Sequence, residues 1–174
     1  MGTEARGGSV RIDIASADHE HCVARYEHVL LLCWRDQVTL ASLHVAREVH
    51  HAILKRHPAG VACLTVGTGR RMGDASMMEA ARIARETYAN VRWAACVVSG
   101  EGFVASAARA GLTSVLALAG QSSLVKVFRD LPSAAAWQYG HSSGLGIAPS
   151  FLTSAAQQVE AAMLSHQPAA DLTV

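Results

Sequence analysis

Apolar positions along the chain follow two rhythms, a period of two residues and a period near three and a half. Val10 to Ile14 alternates as a short strand does, and His21 to Tyr26 and Val29 to Trp34 read as two further extended runs turning near Glu27. The run Val29 to Trp34 is apolar at every position, the pattern of a strand covered on both faces. From Thr39 to His57 the period lengthens: Leu40, Leu43, Ala46, Val49 or His50, and Ile53 form a helical stripe, which Pro58 and Gly60 end. Val61 to Val66 is again a buried-strand run. It stops at Gly67-Thr68-Gly69-Arg70-Arg71-Met72-Gly73, after which Asp74 reads as a helix N-cap. In that helix Met77, Ala80, Ala81, Ala84 and Tyr88 share one face, and Glu79, Arg82, Arg85 and Glu86 the other. Val91 to Val98 predicts a strand, Gly102 to Ala119 a helix, Leu124 to Phe128 a strand and Leu131 to Tyr139 a short helix.

Alternating β and α units of this length predict an α/β domain over residues 10–139. Its sheet is mixed and mostly parallel, of about five strands covered by helices, with an antiparallel element at the N-terminal edge. Residues 140–150, rich in Gly and Ser, read as a linker. Phe151, Leu152, Ala155, Ala156, Val159, Ala162 and Met163 then form the apolar side of a C-terminal amphipathic helix over 151–165, which docks on its own domain or meets a partner. Residues 1–9 and 166–174 read as frayed ends.

Composition narrows the classes. With 174 residues, 51% hydrophobic and 17% charged, the chain has the make-up of one compact domain. A net charge of +1 supplies no field to attract nucleic acid, so none is expected as a partner. The longest bulky apolar run, Val29 to Trp34, is far short of the ~20 residues that cross a bilayer, and no secretory h-region begins the chain. A cytoplasmic protein is expected. Cys22, Cys33, Cys63 and Cys96 lack a CxxC pair, and the last three lie in strand-like runs, which points to reduced structural thiols.

Set end to end, several stretches resemble the STAS superfamily (sulfate transporter and anti-sigma factor antagonist), in the broad sense that includes stand-alone bacterial STAS-like domains. They are Val29 to Trp34, the helix beginning at Thr39, Val61 to Val66 followed by Met72-Gly73-Asp74-Ala75-Ser76-Met77, the turn Ser99-Gly100-Glu101-Gly102-Phe103, and the closing Val127 to Trp137. Similarity extends from about Arg11 to Tyr139. It implies a STAS-like fold and a regulatory, protein-binding role. In anti-sigma factor antagonists a phosphorylated serine sits in an Asp-Ser-Ser/Thr-Gly motif. Here the matching stretch is Asp74-Ala75-Ser76-Met77, with Ala75 in a serine position and Met77 where glycine is expected, so Ser76 is the one candidate phosphoacceptor that carries over.

Two local features compete for function. Gly67, Thr68, Gly69, Arg70, Arg71, Gly73 and Asp74 surround a helix N-terminus, where free N–H groups and the helix dipole favour anions. The third glycine arrives one residue late for a dinucleotide fingerprint. Met77 and Met78, at the same junction, offer an adaptable contact surface. The nine histidines, among them His44, His50, His51 and His57, match no established metal spacing and are expected as solvated rim residues. No Gly-x-Ser-x-Gly elbow or paired carboxylates occur. The expectation is a non-enzymatic regulatory or protein-interaction module of cytoplasmic signalling, with no cofactor and no metal. Its partner is another protein, or a second copy bound through the tail helix. The alternative is a binding protein or enzyme that takes a small anionic ligand or nucleotide on the Gly67–Gly73 loop.

Overall fold

A computed structural model describes residues 11–35, 37–67, 74–118, 123–141 and 147–166. The chain is α/β, with one six-stranded sheet whose strands stand in sequence order. β1 (Asp13–Ala17), β2 (His21–Tyr26) and β3 (Val29–Trp34) pair antiparallel, and β4 (Val61–Gly67), β5 (Val91–Val98) and β6 (Val125–Phe128) extend the sheet in parallel from β3. The mixed, mostly parallel sheet is thus as expected, with six strands rather than about five. The first strand begins at Asp13, three residues later than the alternation at Val10 suggested. It is an edge strand with an irregular register between Ile14 and Ser16, so little burial fixes its ends.

Helix placement follows from handedness. Each step β3–α1–β4, β4–α2–β5 and β5–α3–β6 joins adjacent parallel strands, and right-handed crossovers in one direction put all three helices on one face of the sheet. These are α1 (Leu40–Arg56), α2 (Asp74–Thr87) and α3 (Gly102–Leu118). Strand alternation agrees: Val23, Leu30 and Val61 pack with Ala46, Val49 and Ile53 of α1. Cys22, Ala24, Leu31, Cys33, Leu64, Ala95 and Val97 point to the opposite face, which α4 (Leu131–His141) and α5 (Pro149–Ser165) cover.

Local chemistry fixes the helix starts. Thr39 caps α1 by a reciprocal box: its hydroxyl accepts from the Ser42 backbone N–H at 3.1 Å, and the Thr39 N–H donates to Ser42 Oγ at 3.2 Å. Ser42 Oγ also accepts from Trp34 Nε1 at 3.1 Å, which ties the end of β3 to the start of α1. Asp130 does the same for α4, its carboxylate accepting from the Ser133 N–H at 2.8 Å. Asp74 is the first residue of α2 rather than the residue before it.

The tail helix is built into the core. Leu152, Ala155, Ala156, Val159 and Met163 are buried, and α5 packs on β2, β3 and α4. Of the two placements expected for its apolar stripe, on its own domain or against a partner, the structure has the first: the stripe meets the chain's own sheet. The core reaches back into the stretch read as a linker, because Ile147 is buried with the same cluster; residues 142–146 lie outside the described residues. Leu152 is fully buried, so Leu152→Ala is expected to cost about 2–5 kcal/mol in urea unfolding. A helix merely tethered to the domain would give a loss below about 0.5 kcal/mol, as surface substitutions do.

Candidate functional site

Two regions can carry function: the carboxyl end of the sheet and a cavity beneath α1 and α2. At the carboxyl end, Gly67 closes β4 and its carbonyl accepts from the Ser99 N–H at 3.0 Å. Thr68, Gly69, Arg70, Arg71 and Gly73 lie outside the described residues, as do the side chains of Asp74 and Met77. Beside Gly67 is a pocket of about 210 Å³, with Arg35, Ser99 and Glu160 among its lining. Its charged walls are of both signs, so the pocket is not built for an anion alone.

Ser76, the candidate phosphoacceptor, is only 7% exposed. A kinase would have to open the first turn of α2 to reach its hydroxyl. Met78, two residues on, is 71% exposed, and Phe103 near the start of α3 is 87% exposed. In the sequence Phe103 figures only as the last residue of the Ser99–Phe103 turn that carries part of the resemblance, with no contact role of its own. Its exposure follows from the turn before it. Gly100 and Gly102 take φ of +109° and +84°, values that other residues adopt only under strain, while Arg109 Nη1 donates to the carbonyls of Val98 (2.9 Å) and Gly100 (3.1 Å). Leu40 at the start of α1 and Leu164 near the end of α5 are exposed too, although the helical stripe had placed Leu40 inward.

All four belong to the same end of the molecule. Helices that return from parallel strands begin at the strands' carboxyl end, which places Leu40, Met78 and Phe103 there. Leu164 joins them because it lines the pocket beside Gly67.

The cavity beneath α1 and α2 measures about 240 Å³. Its floor is sheet, including Leu30, Leu32 and Ala94; its walls include Leu43, Ala46 and His50 of α1 and Ala80, Ile83, Ala84 and Thr87 of α2. The inward stripe of α2 thus differs from the one read from periodicity: Ala81 is exposed and Ile83 faces inward. Alanines on both sides of the helix leave its direction undetermined by apolar spacing.

His50 is 3% exposed, and neither ring nitrogen has a hydrogen-bond partner among the described residues. The expectation of solvated histidines fails here, and also for His28 and His21. His21 differs from His50 in having polar neighbours, with Nδ1 3.0 Å from the Asp18 carboxylate and Nε2 3.1 Å from Ser16 Oγ. Burial, with His51 adding like charge, pulls the His50 pKa down to about 4, so its imidazole is neutral at pH 7. Burial also lowers the pKa of His28, which stacks edge-on to Trp93.

The thiols are free and unreactive in character. Burial pushes Cys33 and Cys63 up to about 12, and Cys22 and Cys96 to about 11. Among the described residues no group of three or more His, Cys, Asp or Glu side chains could hold a metal ion, and no helix is long and apolar enough to cross a membrane.

His50 sets a pH dependence. Its imidazole protonates near pH 6.5 when unfolded and near 4 when folded, so the unfolded chain holds more protons between those values. Stability is expected to fall as pH drops below about 6.5 and to level off below about 4, by on the order of 3 kcal/mol from this group. His50→Leu should remove that part of the loss and be neutral or stabilising by about 1 kcal/mol at pH 7, since it replaces a buried, unpartnered polar ring. Urea unfolding at pH 7, 6, 5 and 4 measures both effects.

Scans against protein-family models, curated proteins and solved structures find no match to the chain.

Proposed function

We propose that the chain is a non-enzymatic regulatory module of cytoplasmic signalling, similar to stand-alone STAS-like domains, that docks another protein on the carboxyl end of its sheet. The observation that carries this reading is that exposed Leu40, Met78, Phe103 and Leu164 all stand at that end of the sheet. Exposed apolar side chains brought together mark contact surfaces, whereas scattered ones are ordinary. Phe103 and Met78 suit the role, because an aromatic ring gives large contact area and methionine adapts to its partner. The burial of Ser76 favours regulation by docking over regulation by phosphate at that residue.

A second reading has one observation in its favour. The pocket beside Gly67 lies beyond the carboxyl ends of β3 and β4, where open α/β sheets bind small ligands. Glu160 in its wall opposes an anionic ligand, so the protein-docking reading is preferred.

Native mass spectrometry of the protein isolated from its own cells tests the choice. Docking predicts a complex with a second polypeptide that Met78→Glu and Phe103→Glu reduce at least tenfold without changing thermal stability. The control Ile14→Thr, on the exposed edge strand, should leave the complex intact. A chain carrying only a small added mass, or a complex indifferent to both glutamates, would reject the proposal.

A further inference from the structure

The cavity between the sheet and the α1–α2 pair is separate from the docking surface, and three of its properties converge. It is half open to solvent, and its volume of about 240 Å³ is room enough for a ring, since a closed apolar cavity of ~150 Å³ already accepts benzene. Its lining is mostly aliphatic, with Trp34, Cys63, Thr65, Thr87, His50 and Arg47 among the aliphatic side chains. The polar groups along it are mostly engaged: Trp34 Nε1 donates to Ser42 Oγ at 3.1 Å, Thr87 Oγ1 donates to the Ile83 carbonyl at 2.9 Å, and Thr65 meets Cys96. His50 is the exception.

We propose that this cavity is a binding site for a small neutral aromatic or aliphatic molecule carrying one hydroxyl group, which hydrogen-bonds the imidazole of His50. A neutral imidazole presents one N–H donor and one bare nitrogen acceptor, and a hydroxyl complements either. Burial has already stripped the ring of water, so a ligand hydroxyl gains a hydrogen bond at a group whose desolvation is part of the folded state. A neutral ligand is favoured over a charged one, because most of the lining is aliphatic and His50 is held neutral, so a charge set beside the ring loses its water without gaining a charged partner there.

The size follows from the walls. Ala46 of α1 and Ala80 and Ala84 of α2 contribute single methyl groups where larger side chains would fill the layer. The space suits one ring with a short substituent. Arg47, at the margin of the same cavity, can lay its alkyl stem across the opening with its charge in solvent.

The test uses p-cresol and toluene as probes on the full chain, followed by heteronuclear NMR of the histidine rings and by calorimetry. The wild type is expected to bind p-cresol at millimolar concentration or below, with the His50 ring nitrogen signals shifting on binding. His50→Leu should lower the preference for p-cresol over toluene roughly fivefold, the worth of one ordinary hydrogen bond. Ala84→Leu, which fills the space and keeps His50, should abolish binding of both. Circular dichroism confirms that each variant is folded before it is titrated. No binding by the wild type at 5 mM (roughly the weakest affinity a buried site of this size should show), an unchanged preference in His50→Leu, or undiminished binding in Ala84→Leu would each overturn the proposal. Loss of protein docking by the glutamate variants bears on none of these outcomes.

Discussion

A sheet whose parallel strands are joined by right-handed crossovers in one direction receives all its connecting helices on one side, and the rest of this structure answers that constraint. The central strands are apolar on both faces: Leu30 looks towards α1 while Leu31 and Cys33 look the other way. The second face needs its own cover, and among the described residues most of it comes from chain beyond β6, with Ile12 adding to it from before β1. α4 and α5 provide the larger part, with Leu152, Ala155 and Val159 over β2 and β3 and with Ala134 and Ala135 nearer β5. Gln138, fully buried in α4, reaches through to donate to the Cys63 carbonyl at 2.7 Å, which fastens the cover to a central strand. The C-terminal helix thus serves as that cover, where amphipathicity alone left it equally suited to a partner.

Much of the fold was legible because long apolar runs leave little choice. Val29 to Trp34 and Trp93 to Val98 have no polar face to turn outward, and Thr39 followed by a helical stripe marks its helix without ambiguity. The edge strand was placed less well, because a half-exposed edge carries a weak pattern. The inward face of α2 was misread at Ala81 and Ile83. The chain holds 32 alanines, and alanine is compatible with either side of a helix, so spacing loses its direction where alanine dominates.

The candidate sites were legible in a different measure. The sequence pointed to the α2 start and to Met78, but not to Phe103, whose outward position depends on two left-handed glycines and on Arg109 bridging carbonyls nine and eleven residues behind it. No periodicity encodes that geometry. Histidine hydropathy is equally uninformative: Val49 and His50 competed for one place on the α1 stripe, and the fold buries both. A buried imidazole without a partner becomes visible only when the elements around it are assembled.

The cavity and the docking surface have a common origin in α2. Small side chains on its inner face leave space above the sheet, so the helix is held there by thin apolar contact and by a polar seam to α1, in which His44 Nε2 lies 3.0 Å from Glu79 Oε1. Glu79 is held ionised by Arg82, whose guanidinium lowers its pKa to about 2, and Arg82 also pairs with Glu86. Exposed ion pairs of this kind contribute little to stability and are screened by salt. The same helix carries exposed Met78 near its start and Ile83 and Ala84 against the cavity.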